Sequence, residues 1–215
     1  MMNQLLLSAN DDSDQLGNLV QHLPVHKARL RSLALVSTNR GEGTSTCTVN
    51  LAKYMAETFG SRVLIVDANL RHPTLHELTG VEREGGLAEI LNGDIELEAA
   101  MKKTIVPTLF VVTAGSESQH VNRLLDAAVL EERLLRESQG FDFVVFDCPP
   151  VNVYLEATNV ARLCDSVILV VEGEKTRRQA AKRALDQLTR ASCRTLGVFM
   201  NKRKFYIPKL IYDRL

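Results

Sequence analysis

The feature that most constrains the fold is a series of short, wholly apolar runs separated by segments with helical periodicity. A wholly apolar run has no polar face, so the strand that it forms must be buried on both sides. Such strands alternating with helices are typical of βαβ units, in which helices cover both faces of a parallel sheet. The apolar runs are Leu33–Val36, Val63–Val66, Leu109–Val112, Phe143–Phe146, Val167–Val171 and Leu196–Met200.

The segments between these runs complete the fold prediction. We predict a three-layer α/β sandwich with a mainly parallel sheet, in one domain over residues 29–205. A helical or irregular lead-in is predicted over residues 1–28, and a basic and apolar tail over residues 206–215. The helical patterns cover Thr46–Phe59, Val121–Ser138, Leu155–Leu163 and Thr176–Ala191.

Composition excludes several classes of function. The 215 residues include 26 lysines and arginines and 26 aspartates and glutamates, so the formal net charge is zero. A general nucleic-acid binder needs a basic excess to neutralise phosphates, and we therefore predict no nucleic-acid partner. No apolar stretch approaches the roughly 20 residues of a membrane helix, and no signal peptide is recognisable. These features predict a cytoplasmic protein.

A glycine-containing segment, Ser37–Thr46, follows the first apolar run and precedes a helix. Gly41 and Gly43 allow a backbone in which several N–H groups point at one anion near a helix N-terminus. In the P-loop pattern G-x-x-x-x-G-K-[ST], the position of the lysine corresponds here to Thr44, which follows Gly43. The alternative is an ordinary strand-to-helix turn with a Ser or Thr N-cap.

Two aspartates, Asp67 and Asp147, come directly after buried apolar runs. The carboxyl ends of parallel strands meet at the edge of the sheet where ligands bind. A carboxylate there, with the hydroxyl of Ser45, can hold Mg²⁺ or its waters. The alternative is that both aspartates cap strand ends or form turns.

In this order, the segments resemble the cytoplasmic domain of bacterial tyrosine kinases, a branch of the MinD/ParA group of P-loop ATPases. Ser37–Thr46 resembles the P-loop of that family, Val63–Pro73 resembles its second Walker box, and Phe141–Val151 resembles its Walker B segment. Weaker matches are Asn50–Ala52, Gly86–Gly93, Asn122–Leu125 and Asn201.

The resemblance implies ATP or ADP with Mg²⁺ as cofactors. It assigns catalytic positions to Asp67, Asn69 and Arg71, and metal ligands to Ser45, Asp67 and Asp147. It assigns nucleotide contacts to Arg40, Gly41, Glu42, Gly43, Thr44, Ser45, Thr46 and Asn201. It also implies a membrane polysaccharide co-polymerase (chain-length-determinant protein) as partner, self-association into a homo-oligomer, and a location peripheral to the inner membrane.

The chain departs from the family pattern at functional positions. Thr44 replaces the loop lysine, Arg40 replaces a proline, and Asn69 replaces a carboxylate that would activate the acceptor hydroxyl. An amide cannot serve as a general base. The arginines of the family's assembly motif are absent near Asp14–Gln21, and its C-terminal tyrosine cluster is reduced to Tyr206 and Tyr212. The departures predict a catalytically impaired partner or regulator in exopolysaccharide synthesis or export.

Two alternatives stay open from the sequence. One is an active ATP-dependent tyrosine autokinase that modifies Tyr206 or Tyr212 and uses Arg40 or a neighbouring subunit in place of the lysine. The other is a positioning ATPase of the MinD/ParA type. The signature lysine of that type aligns near Asn39, so its absence counts against this alternative.

Overall fold

The computed structural model describes residues 31–117 and 121–202. These residues form one seven-stranded sheet with helices on both faces. The strands are β1 (Ser32–Ser37), β2 (Val63–Asp67), β3 (Lys102–Lys103), β4 (Leu109–Val112), β5 (Phe143–Asp147), β6 (Ser166–Glu172) and β7 (Thr195–Asn201). The helices are α1 (Thr44–Phe59), α2 (Leu75–Thr79), α3 (Leu87–Asn92), α4 (Leu97–Ala100), α5 (Val121–Leu124), α6 (Ala127–Leu130), α7 (Glu156–Ala161) and α8 (Arg178–Arg190).

The strand order across the sheet is β3-β4-β2-β5-β1-β6-β7. All neighbouring strands are parallel except the short β3, which pairs antiparallel with β4. β5 therefore lies in the middle of the sheet, between β2 and β1, and β6 lies on the other side of β1. This arrangement brings the carboxyl ends of β1, β2 and β5 to one place, because the three strands are neighbours and point the same way.

Each face of the sheet has its own apolar core. On one face, α1 packs against the central strands through its buried side chains, among them Leu51 and Met55. On the other face, α3, α7 and α8 cover the sheet, and Ile90, Val160 and Leu188 are buried against it. The central strands are buried on both faces, as their wholly apolar composition predicts. The three-layer α/β sandwich is confirmed.

The strand predictions correspond to observed strands, but the helical prediction over Val121–Ser138 is wrong as one continuous helix. The segment consists of α5, α6, a π-helical turn over Glu131–Leu135 and a 3₁₀ turn over Glu137–Gly140. The physical cause is Asp126, whose side chain accepts a hydrogen bond from the Ala128 N–H and so starts a new helix. The pattern of apolar residues is the same in either case, so periodicity alone did not show the break.

Within residues 31–117 and 121–202, no helix is long and apolar enough to cross a membrane. The sheet and its helices fall inside the domain predicted over residues 29–205. The predicted lead-in over residues 1–28, the predicted tail over residues 206–215, and both Tyr206 and Tyr212 lie outside the described residues.

Candidate functional site

Residues that follow three neighbouring strands surround one cavity of about 410 Å³ at the carboxyl-terminal edge of the sheet. The segments after β1, β2 and β5 all contribute, together with the end of β7. Among the lining residues are Ser37, Arg40, Gly41, Gly43, Thr44, Ser45, Thr46, Asn69, His72, Cys148, Pro150 and Lys202. The glycine-containing segment and the segments that carry the two predicted acidic positions therefore belong to one site.

The loop between β1 and α1 has the backbone that its glycines were expected to permit. Gly41 has a φ of 80° and Gly43 a φ of 87°, both in the left-handed region that favours glycine. α1 begins directly after Gly43, and the Cys47 N–H closes its first turn on the Gly43 carbonyl. The loop thus delivers Ser45 and Thr46 to the first turn of a long helix, whose N-terminus attracts anions.

Glu42 holds the loop in shape. Its side chain is buried, and its carboxylate accepts hydrogen bonds from the backbone N–H groups of Thr38 and Asn39 at 2.7 and 3.1 Å. The hydroxyl groups of Thr38 and Thr176 donate to the same carboxylate at 2.5 and 2.6 Å. Glu42 was predicted to contact nucleotide, but its side chain is committed to the loop and is not part of the cavity wall.

Residues at the end of β7 form hydrogen bonds to the outer side of the same loop. The Asn201 side-chain amide donates to the Glu42 carbonyl at 2.8 Å. The Lys202 ammonium donates to the Gly41 carbonyl at 2.6 Å and lies 3.4 Å from a carboxylate oxygen of Glu172. Lys202 lines the cavity, whereas Asn201 is buried against the loop. These contacts fix the loop from its outer side.

Asp67 and Asp147 lie side by side beneath the loop, because the register of β2 and β5 pairs them directly. Both side chains are fully buried. Asp67 accepts backbone hydrogen bonds from Asn69, Thr74 and Leu75 at 3.2, 3.0 and 3.0 Å, and the last two N–H groups lie at the start of α2. Asp67 therefore fixes the backbone of the segment after β2. This is the alternative role, capping a strand end or forming a turn, that the sequence left open. Burial nevertheless raises its pKa to about 6, against the opposing effect of these hydrogen bonds.

Asp147 is held very differently. Neither of its carboxylate oxygens has a hydrogen-bond partner of normal geometry among the described residues. Burial raises the pKa of Asp147 well above its ordinary value, and the charge of Asp67 raises it further. The Ser45 side chain comes close enough to lower that pKa by a smaller amount. A buried carboxyl group without a partner is costly, and it indicates a site for a cation or a proton.

These groups fit a divalent magnesium ion. Mg²⁺ prefers carboxylate and hydroxyl oxygens and keeps several of its waters. Asp147 offers two buried oxygens without partners, and Ser45 offers a hydroxyl from the first turn of α1. A cation here would also relieve the repulsion between Asp67 and Asp147.

Two other predicted positions line the cavity without an ionisable group. Thr44 lies at the start of α1, where a P-loop carries lysine. Asn69 follows β2, and its side-chain oxygen is buried without a hydrogen-bond partner among the described residues. Both side chains are thus placed to meet a bound group, but neither brings a charge to it.

A cluster of side chains at the rim joins two predicted positions through residues that the sequence did not single out. The Arg71 Nε donates to a Glu156 carboxylate oxygen at 2.5 Å, and Glu156 is only 2% exposed. The Arg71 guanidinium carbon lies 5.0 Å from the centre of the Tyr154 ring, and that of Arg40 lies 5.3 Å from it. Of the two arginines, Arg40 lines the cavity.

The structure brings the predicted site residues to one edge of the sheet, but in different roles. Lining positions are held by Arg40, Gly41, Gly43, Thr44, Ser45, Thr46 and Asn69. Asp67 and Asp147 lie buried below the loop. Glu42, Asn201 and Arg71 form hydrogen bonds or ion pairs with neighbouring protein groups. Lys202, Tyr154 and Glu156 were not identified as site residues. Lys202 carried a signal, because it follows a predicted strand. Tyr154 and Glu156 carried none, since they reach the site only through the tertiary fold.

A mainly parallel sheet, a glycine loop that leads from β1 into α1, and two buried aspartates at the ends of β2 and β5 define a P-loop NTPase fold. Solved structures share it. The kinase domain of the Escherichia coli tyrosine kinase ETK matches with a TM-score of 0.82 at 20% identity, over 94% of this chain and 83% of that one. Cobyrinic acid a,c-diamide synthase from Mycobacterium smegmatis, solved with bound ADP and magnesium, matches with a TM-score of 0.70 at 22% identity, over 79% and 74% of the two chains.

Sequence comparison gives the family. A family profile described as AAA domain matches residues 30–195. The tyrosine-protein kinase YwqD of Bacillus subtilis is 31% identical over 176 residues, which are 82% of this chain and 74% of that protein. The chain therefore belongs to the bacterial tyrosine-kinase family, and the resemblance to that family found in the sequence is confirmed.

Proposed function

We propose that this chain is a nucleotide-binding, tyrosine-kinase-like component of bacterial exopolysaccharide or capsule synthesis or export, with little phosphoryl-transfer activity of its own. It acts as partner or regulator of a membrane polysaccharide co-polymerase, at the cytoplasmic side of the membrane. Membership of the tyrosine-kinase family supports the class of function. The chemistry of the cavity supports both the nucleotide binding and the loss of activity.

The binding half of the proposal rests on the loop and the acidic floor of the cavity. The Gly41–Gly43 backbone and the N-terminus of α1 would hold the phosphates of ADP or ATP. Ser45 and Asp147, with Asp67 beside them, would hold Mg²⁺, which would neutralise charge at the phosphates. Glu42 holds the loop in one shape before nucleotide binds, which reduces the entropy lost on binding.

The impairment rests on one observation: Thr44 and Asn69 both line the cavity at positions where an active member has ionisable groups. The Thr44 hydroxyl can donate a hydrogen bond, but it does not stabilise the negative charge of a transferring phosphoryl group as a lysine does. The Asn69 amide cannot take the proton of an acceptor hydroxyl. Nucleotide binding tolerates these losses better than phosphoryl transfer does, because charge must be stabilised most in the transition state.

The test measures Mg·ADP binding, ATP turnover and phosphotyrosine in the whole chain. We expect the wild type to bind Mg·ADP and to turn over ATP no faster than Asp147→Ala, the background control. Thr44→Lys together with Asn69→Asp is expected to raise turnover by at least about tenfold. Clear wild-type turnover that Asp147→Ala abolishes would contradict the proposed impairment. Phosphotyrosine that disappears on changing Tyr206 and Tyr212 to Phe would then favour an active autokinase.

A further inference from the structure

The cavity carries one positive side chain that no carboxylate of the described residues neutralises. We infer that Arg40 supplies the phosphate-binding charge that Thr44 lacks, and that Tyr154 is the positioning residue that holds the Arg40 guanidinium at the cavity. This inference rests on the nucleotide-binding function proposed above and names the residues through which this chain carries it out.

The cavity needs a cation beyond its magnesium ligands. A nucleoside di- or triphosphate brings several negative charges, and the P-loop pattern meets one of them with lysine. At Thr44 that lysine is replaced by a neutral hydroxyl. A hydrogen bond from a charged donor to phosphate is stronger than one from a neutral donor, so the exchange weakens binding unless another cation takes over.

Two of the three nearby cations are already occupied. Arg71 donates to the buried carboxylate of Glu156 and is not part of the cavity wall. Lys202 lines the wall, but its ammonium donates to the Gly41 carbonyl and lies 3.4 Å from a Glu172 oxygen. That carboxylate offsets the charge of Lys202, and the loop backbone takes one of its donors.

Arg40 differs from both. It lines the cavity, is exposed, and within residues 31–117 and 121–202 forms no ion pair. Its guanidinium stacks on the Tyr154 ring. Stacking on the face of a ring leaves the N–H donors of a guanidinium available, and their fork matches two phosphate oxygens. Arg40 also belongs to the loop that Glu42 fixes, so its backbone is in place before any ligand binds.

Tyr154 connects this arginine to the rigid part of the site. Its ring is half-buried and also contacts the Arg71 guanidinium, which Glu156 anchors. The anchored Arg71 thus steadies the ring on which Arg40 rests. Stacking of this kind is weak at exposed sites, so it can hold Arg40 near the cavity without competing with a phosphate for it.

The first experiment is a calorimetric titration of the whole chain with Mg·ATP. Arg40→Gln is expected to weaken binding by roughly tenfold, the size of a lost charge-assisted contact. Adding Thr44→Lys to Arg40→Gln is expected to restore most of that affinity. The matched control is Arg62→Gln: the Arg62 guanidinium stacks on Phe110 and Phe141 at 5.2 and 4.7 Å, at the opposite edge of the sheet. It should leave binding unchanged.

A second pair of variants tests the positioning role. Tyr154→Phe keeps the ring and should bind Mg·ATP as the wild type does. Tyr154→Leu removes it and should weaken binding by roughly two- to fivefold. Since Tyr154→Leu acts through Arg40, it should add nothing when Arg40→Gln is already present.

The outcomes separate this inference from the proposed function. If the wild type binds Mg·ATP and Arg40→Gln binds equally well, the assignment of Arg40 is wrong while the nucleotide site stands. If the wild type does not bind Mg·ATP, both proposals are overturned. Equal losses in Arg40→Gln and Arg62→Gln would mean a general effect of removing a stacked arginine, and would also overturn the assignment.

Discussion

Aspartates at the two ends of the sheet are held in opposite ways. At the amino-terminal edge, Asp165 is exposed and accepts hydrogen bonds from the Arg31 and Ser32 N–H groups at 2.7 and 2.8 Å. Asp142, also exposed, accepts from the Arg62 N–H at 2.7 Å. At the carboxyl-terminal edge, Asp147 is fully buried and has no well-formed hydrogen bond among the described residues. The hydrogen-bond partners thus distinguish Asp165 and Asp142, which join neighbouring strands, from Asp147, which fits a ligand-binding role.

The contrast has an energetic meaning. Asp165 joins the starts of β1 and β6, and its carboxylate keeps contact with water, so its charge costs little. The Asp147 side chain is shielded from water and lies beside the acidic side chain of Asp67. A buried, uncompensated carboxyl group destabilises a fold by several kcal/mol or takes up a proton. Asp67 stands between the two cases, because it caps the segment after β2 and also faces Asp147.

The largest effect is expected from Asp147→Asn. This change removes a proposed magnesium ligand and should weaken Mg·ADP binding by roughly a hundredfold. It also removes the repulsion with Asp67, so the metal-free protein should gain about 1–3 kcal/mol in the free energy of unfolding at pH 7.5. Calorimetry and denaturant unfolding check the two parts. If metal-free Asp147→Asn is less stable than the metal-free wild type, the buried Asp147 carboxyl group does not destabilise the fold, and the contrast with Asp165 is wrong.

The next effect is a dependence of stability on pH. The pKa of Asp67 is about 6 in the folded protein and near 3.8 in an unfolded chain, so the folded state binds this proton more tightly. The stabilisation of the fold by the Asp67 proton is therefore complete below pH 4 and is lost as the pH rises through 6. The change amounts to something on the order of 1–3 kcal/mol in metal-free protein.

Unfolding in urea at pH 5 and pH 7.5, in the presence of a chelator, measures this change. Asp67→Asn is the control, because the amide keeps an acceptor for the N–H groups but does not titrate in this range. The loss of stability from pH 5 to pH 7.5 should be smaller in the variant than in the wild type. Equal losses would show that Asp67 ionises in the folded state as it does in the unfolded chain.

The smallest effect is expected at the other end of the sheet. Asp165→Ala removes the acceptor for the Arg31 and Ser32 N–H groups and should lower the free energy of unfolding by about 1–2 kcal/mol. Mg·ADP affinity should stay at the wild-type value, because the change lies at the far edge from the cavity. If Asp165→Ala binds Mg·ADP more weakly while the protein remains fully folded, the two edges of the sheet are energetically coupled.

The parts of the fold that the sequence predicted are those set by local composition. Leu109–Val112 is apolar throughout, and β4 covers the same four residues. Asp67 and Asp147 follow such runs, and the rule that parallel strands end at one edge was enough to place them together. Gly41 and Gly43 were expected to permit a backbone that other residues avoid, and both have a positive φ.

The parts that escaped prediction depend on contacts between distant residues. The inward position of the Glu42 side chain depends in part on Thr176, which comes from the loop after β6 and could not be identified from the sequence near Glu42. The contact of Tyr154 with Arg40 and Arg71 likewise requires the complete fold. The break at Asp126 was missed for a different reason, since an N-cap inside an apolar periodicity leaves that periodicity intact.

The close packing of Gly43 against Asn201 limits how this site can change. A Cβ atom at position 43 would lie 2.2 Å from the Asn201 side-chain nitrogen, in addition to the strain at a φ of 87°. A larger residue at position 43 therefore requires a smaller one at position 201, although 157 residues separate the two positions. Sequence drift at position 43 and at the end of β7 must then proceed in step, and a laboratory library that varies position 43 alone would yield few folded members.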